Sequence, residues 1–279
     1  MSAGMITAQE IFLIFERNTG DVITVNGTAY TVGNGSSFGS VADAVEADAV
    51  KTSNTDAVIF TNLGTTKEDI SSLDPLYGQT AGANLIFNGA FSGSLRGTVS
   101  TDGTAGIVLL TFSGSDTVGA FDYFAPWDRA VTDGGLYITV SNGAKVTGDT
   151  AVFVSGSEML VTGRGSQFHT DDLVMTGGLL AATSDSTLSL AGGRIGGYGT
   201  KVAADRNSLL YMTNITVENE AQIAAENAKV FVKNALTLSG GSLLTLKNGS
   251  LTLAQDDTVI TLSGGKIALK KWCYLRDGR

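Results

Sequence analysis

The only histidine of the chain stands in the run His169-Thr170-Asp171-Asp172, where residue types suited to proton transfer sit closest together. An imidazole beside carboxylates can take or give a proton near neutral pH. Cleaving a glycosidic bond asks for more, namely two carboxyl groups facing one another across a sugar. If the chain is such an enzyme, Asp171, Asp172 and His169 are its catalytic residues. The alternative is a solvated corner, since short polar side chains favour turns. Asp171-Asp172 and Asp256-Asp257 are also the only adjacent Asp pairs. Calcium needs six to eight oxygens, and neighbouring strand residues point to opposite faces, so a pair chelates only in a corner. No cofactor and no metal site are expected, calcium being the one ion to weigh.

The segment Phe121-Asp-Tyr-Phe-Ala-Pro-Trp-Asp-Arg129 is the second place to look. Rings stack on the apolar faces of sugars while polar groups take the hydroxyls, which makes Tyr123, Trp127, Asp128 and Arg129 candidate ligand-binding residues. The competing reading is a loop folded back over the protein with its rings buried, and it is favoured because large aromatics are mostly buried. Nucleophilic catalysis finds no support. Cys273 lies outside the repeated part, Gly163-Arg164-Gly165-Ser166 reads as a corner, and no Gly-x-Ser-x-Gly precedes a helix. No phosphate-binding glycine loop with its Lys is present either.

What must position these residues is a unit that keeps returning: an apolar residue, a small or polar one, a Gly/Asn pair, then another apolar run. It reads Val140-Ser-Asn-Gly-Ala-Lys-Val146, Met175-Thr-Gly-Gly-Leu-Leu180, Leu190-Ala-Gly-Gly-Arg-Ile195 and Val217-Glu-Asn-Glu-Ala-Gln-Ile223. It returns as Leu238-Ser-Gly-Gly-Ser-Leu-Leu244, Leu246-Lys-Asn-Gly-Ser-Leu-Thr-Leu253 and Leu262-Ser-Gly-Gly-Lys-Ile-Ala-Leu269. Strand, corner, strand, repeated with only 2 prolines in 279 residues, is how a chain winds into a β-solenoid. The 36 glycines lack the strict period of collagen, and a 43% hydrophobic content argues against disorder. Corner-to-corner steps such as Val154 to Met175, Val217 to Leu238 and Leu238 to Leu262 suit coils of three short strands. About ten such coils, rising about 4.8 Å each, would make a rod about 50 Å long. Residues 216–229 have helix propensity, yet Val217 to Ile223 matches Val140 to Val146 position by position, so the repeat reading prevails.

The first 35 residues predict strands at Ile11 to Phe15 and a hairpin, Val22 to Val25 and Ala29 to Val32, turning at Asn26-Gly27. Phe38, Val41, Ala42, Val45 and Ala49 then fall at helical spacing behind Ser40, a plausible N-cap. This predicts a cap over residues 1–52, closing a rod over 53–279 whose open end would expose strand edges. The basic, aromatic end Lys270-Lys-Trp-Cys-Tyr-Leu-Arg-Asp-Gly-Arg279 breaks the pattern, and is read as a stop in mid-course rather than as a second cap.

A net charge of −9 with no basic stripe argues against nucleic acid and against an anionic membrane surface. One cysteine allows no internal disulfide, the apolar run at residues 11–15 is too short to span a membrane, and no signal peptide is recognisable.

Val154-Ser-Gly-Ser-Glu-Met-Leu-Val-Thr-Gly-Arg-Gly-Ser-Gln-Phe168, followed by Leu173-Val-Met-Thr-Gly-Gly-Leu-Leu180, resembles the passenger regions of bacterial autotransporter-type adhesins. The segment Phe38 to Phe60 is similar to the entry of pectin-lyase-like right-handed parallel β-helices. The resemblance implies an all-β, single-stranded parallel β-helix with a short N-terminal capping helix, right-handed, extracellular or on the bacterial cell surface. It implies a non-catalytic, adhesin-like partner of host-cell or matrix surfaces or of polysaccharide. Related β-helix enzymes imply the alternative of a polysaccharide lyase or glycoside hydrolase. Here their Gly-His-Gly element is missing, and Asn54-Thr55-Asp56 precedes the first rod strand instead of following it. A phage tail-fibre element is a third expectation, and it predicts trimers.

Overall fold

The computed structural model describes residues 11–14, 22–25, 28–31, 58–62, 68–69, 83–96, 107–125, 135–253, 257–270 and 273–277. All described secondary structure is β, with no helix among the described residues. The helix expected over residues 38–50 lies outside them.

The first strands are β1 (Ile11–Ile14), β2 (Val22–Val25), β3 (Thr28–Thr31), β4 (Val58–Asn62) and β5 (Glu68–Asp69). The hairpin expected across Asn26-Gly27 is present, with β2 and β3 antiparallel and Val25 opposite Thr28. β1 already pairs in parallel with β4, Ile11 opposite Val58. Next come β6 (Ala83–Arg96), β7 (Ile107–Ser113), β8 (Val118–Ala125), β9 (Gly135–Ser141) and β10 (Lys145–Phe153). A regular series follows: β11 (Ser157–Thr162), β12 (Gln167–Met175), β13 (Leu179–Thr183), β14 (Thr187–Gly196), β15 (Lys201–Asp205), β16 (Leu209–Glu218), β17 (Gln222–Glu226) and β18 (Lys229–Ser239). The last are β19 (Leu243–Lys247), β20 (Ser250–Leu253), β21 (Val259–Ser263), β22 (Lys266–Lys270) and β23 (Tyr274–Asp277).

From β7 to β18 each strand pairs in parallel with the strand two places along, and β19 and β20 pair with β22 and β23, three places along, which is a β-solenoid of about seven turns. One face is the odd series β7, β9, β11, β13, β15, β17, β19, β22. The long even strands supply two more faces, because each bends once. In β12 inward and outward residues alternate until Asp171 and Asp172, which both face outward before Leu173 turns in again. Two successive outward side chains break the period of two, so the strand must turn there. β18 makes the division plain: its first half pairs with β20 and its second half with β21.

The register corrects part of the sequence reading. Val217 pairs with Leu238 and Leu238 with Leu262, as the spacing implied. Met175 pairs with Phe153, however, and Val154 lies one residue further on, in the corner. Val140 to Ala144 turns out of the odd face, whereas Val217 to Ala221 turns into it. The same local motif thus marks different corners, which is why its spacing looked uneven. Residues 216–229 are strands and turns, with Asn219 and Asn227 at positive φ. The end does not break the pattern, since Tyr274–Asp277 pairs with β20.

Corners are tight because neighbouring coils press against them. Gly178 has φ +82°, and a Cβ there would lie 2.2 Å from the Ser157 carbonyl oxygen. Inside them, small hydroxyls satisfy carbonyl groups that the winding chain leaves in the interior: Ser186 Oγ donates to Val161 O (2.8 Å), Ser208 Oγ to Ala182 O (3.0 Å) and Ser242 Oγ to Val217 O (3.0 Å). The core is one continuous column running from Leu85 to Leu251.

Candidate functional site

Every turn of the solenoid stacks one outward residue on the next, so side chains distant in sequence form columns. The column through His169 runs Thr147, His169, Ser189, Tyr211, Phe231, Thr252, each opposite the next in register. The first five project from the first halves of the long strands and Thr252 from the short β20, where alternation aims every second residue at solvent.

His169 lies at the centre of a short relay. Its Nε2 is 3.0 Å from Asp171 Oδ1, two residues along β12, and its Nδ1 is 3.0 Å from Ser189 Oγ on the next coil. A carboxylate only accepts, so in the neutral imidazole Nε2 carries the hydrogen and Nδ1 is left to accept from the Ser189 hydroxyl. The His169 side chain is 40% exposed and that of Asp171 66%, so the relay faces water. One coil beyond Ser189, the rings of Tyr211 and Phe231 stack at 4.7 Å and 15°. Tyr211 remains 39% exposed.

The bend beside this column carries the acids. Asp171 and Asp172 occupy it on β12, and Asp149 and Asp122 hold the matching places on β10 and β8. Asp122 Oδ1 accepts from Ser94 Oγ (2.9 Å) and from its neighbour's N–H (Tyr123, 3.0 Å). The Asp pair does sit in a corner, the one place where both members can point outward. Among the described residues, however, no group of three or more His, Cys, Asp or Glu is arranged to hold a metal ion. Asp257 is an exposed turn residue, and Asp256 lies outside the described residues.

The aromatic segment divides. Phe121 to Ala125 is part of strand β8 rather than a loop, with the Phe121 and Phe124 rings in the core. Tyr123 is the half-buried outward ring between them. Trp127, Asp128 and Arg129 lie outside the described residues. Cys273 is half-buried, its thiol directed at the Leu246 and Lys270 carbonyls (3.2 Å each), which is a packing role.

Sequence reading reached His169 and Asp171 but missed Ser189, Tyr211 and Phe231. The signal for them was the coil length, since 169, 189, 211 and 231 fall one coil apart. That signal is hidden until the corners are told apart. Comparison of the chain with protein-family models, curated proteins and solved structures returns no match.

Proposed function

We propose that this protein is a structural and binding β-solenoid, secreted or displayed on a cell surface, which presents its flat faces and corner ridges to a polysaccharide or matrix partner. The observation that carries the reading is where the carboxylates stand. Asp171 and Asp172 occupy the outside of a bend, and a bend around a core is convex. Glycosidic cleavage needs carboxyls converging across a sugar held in a concavity. A ridge offers hydroxyl-binding groups without a second wall. The resemblance of residues 154–180 to autotransporter-type passengers supports the same reading, as does a chain that grows by adding coils and so builds long surfaces.

The test is incubation of the protein with plant, host and bacterial polysaccharides, scoring co-sedimentation and release of soluble oligosaccharides separately. Retention on at least one polymer without products is the expected outcome. New oligosaccharides would overturn the reading in favour of a lyase or hydrolase, and no retention on any polymer would remove the polysaccharide partner.

A further inference from the structure

We propose that Ser189 is an activated nucleophile, and that Ser189, His169 and Asp171 form an acyl-transfer site for small carboxylic esters on the outer face of the solenoid. This goes beyond the binding reading and does not depend on it.

Three observations point here. The two hydrogen bonds, each 3.0 Å, engage both nitrogens of one imidazole, with a hydroxyl on one and a carboxylate on the other. That is the order of parts nucleophilic catalysis requires: a nucleophile, a base and a group that fixes the base's tautomer. Register, moreover, sets two of the parts side by side, because Phe168 opposes Leu188 and His169 opposes Ser189 in the parallel ladder, with Asp171 at the bend just beyond. A chance surface contact between flexible side chains has no such support. Finally, the relay has an open flank. Ser189 is small, and the next residue in its column is the exposed ring of Tyr211, which is backed by Phe231. A ring or acyl chain approaching Ser189 can lie against that phenol face.

The chemistry balances with water as the only co-reactant. Ser189 Oγ bonds to the ester carbonyl carbon while its proton passes to His169 Nδ1. The bond to the alcohol oxygen then breaks, and the imidazolium returns the proton to that oxygen. Water repeats the sequence on the acyl-serine, releasing the acid and restoring the hydroxyl. Asp171 is a positioning residue: it holds the hydrogen on Nε2 and steadies the imidazolium. Ser189 and Leu190 are paired with both adjacent strands, so their N–H groups serve the sheet ladder rather than an oxyanion. Activated electrophiles should therefore react readily and ordinary esters turn over slowly.

The test treats the whole 279-residue protein with an alkyl fluorophosphonate and follows intact mass, then peptide mapping. Ser189 Oγ displaces fluoride from phosphorus in the same proton transfer, leaving a stable adduct. One adduct, on the half-buried Ser189 alone, is expected, with the exposed serines and threonines as internal controls. Ser189→Ala should abolish it, and His169→Gln should slow it by about 100-fold or more. Because His169 is the only histidine, imidazole 15N resonances report one residue. They should show the hydrogen on Nε2 in the wild type and a mixture of tautomers in Asp171→Ala. An unlabelled Ser189 in the folded wild type would overturn the proposal. So would labelling undiminished in His169→Gln, or a hydrogen held on Nδ1. Polysaccharide retention measured on Ser189→Ala keeps the two readings apart, because binding should survive that substitution.

Discussion

The coils before and after residue 168 fill the same interior with different side chains. In the first region the core is aromatic: Phe87 stacks on Phe112 at 5.1 Å, Phe112 meets Phe121 edge-on at 6.0 Å, and Phe124 touches Phe168 at 5.5 Å. After Phe168 no aromatic ring is buried among the described residues, and the buried hydrophobic positions are Leu, Ile, Val, Met and Ala, beside the buried hydroxyls of Thr170, Ser186, Thr200, Ser208 and Ser242. The first region makes room for its rings with glycine. Gly148 is opposite Phe121, and a Cβ on it would come 2.8 Å from the Phe124 Cβ. Gly119 also faces inward, with the Phe121 ring 2.7 Å from where its Cβ would be. Dense packing is thus reached by pairing very large with very small residues in one region, and by uniform medium ones in the other. Coil length differs in the same way: Phe112 pairs with Val140 in the first region, while Ser189 pairs with Tyr211 in the second. Solenoids tolerate this because each coil answers only to its neighbours.

The sharpest way to break the comparison is to remove a ring. Phe124→Ala should cost about 3–5 kcal/mol in equilibrium denaturation, the upper range for a core truncation. Phe121→Leu should cost less than that, and combining it with Gly119→Ala should recover part of its loss, because the Phe121 ring edge is what a methyl on Gly119 would meet. If the double variant is no better than Phe121→Leu, the large-small pairing is not what holds the first region together. In the aliphatic region Leu210→Ala should cost about 2–5 kcal/mol, and no glycine partner is available to compensate it.

A corner substitution comes next in size. Gly178→Ala forces a left-handed backbone on alanine and drives a methyl into the Ser157 carbonyl, at a cost of about 3 kcal/mol, read as a lowered denaturation midpoint. The smallest effect should come from a corner hydroxyl. Ser208→Ala should lose about 1 kcal/mol, since Ala182 O then lacks its side-chain donor. Ala228 occupies the matching place one coil on, so the shape is already compatible with alanine. The hydroxyl also meets the Asp205 carbonyl, which keeps the Ser208 N–H as its donor, so a loss well above that figure would mean the hydroxyl does more than serve these two groups.

Much of the rod was legible because its signals are local. Alternation in Leu188, Leu190 and Leu210, Met212, together with Asn at positive φ in Asn142, Asn219 and Asn248, follows from strand and corner preferences that any short window shows. The candidate site was half legible. His169 and Asp171 are near one another in sequence, so their shared chemistry could be suspected. Ser189 became relevant only through pairing, and nothing in Leu188-Ser189-Leu190 marks that serine as different from other outward hydroxyls. The aromatic segment was half legible too: the favoured reading buries its rings in a folded-back loop, and Phe121 and Phe124 are buried, but as inward residues of a strand.

Composition, patterning and corner residues by themselves determined that this chain is an all-β solenoid, because strand alternation and left-handed corners are properties of neighbouring residues. Tertiary structure alone decided which corner is which, which residues share a column, and that an imidazole on one coil meets a hydroxyl on the next. Those depend on register, and register is fixed only when each coil lies down on the one before it and its side chains find the volume left for them.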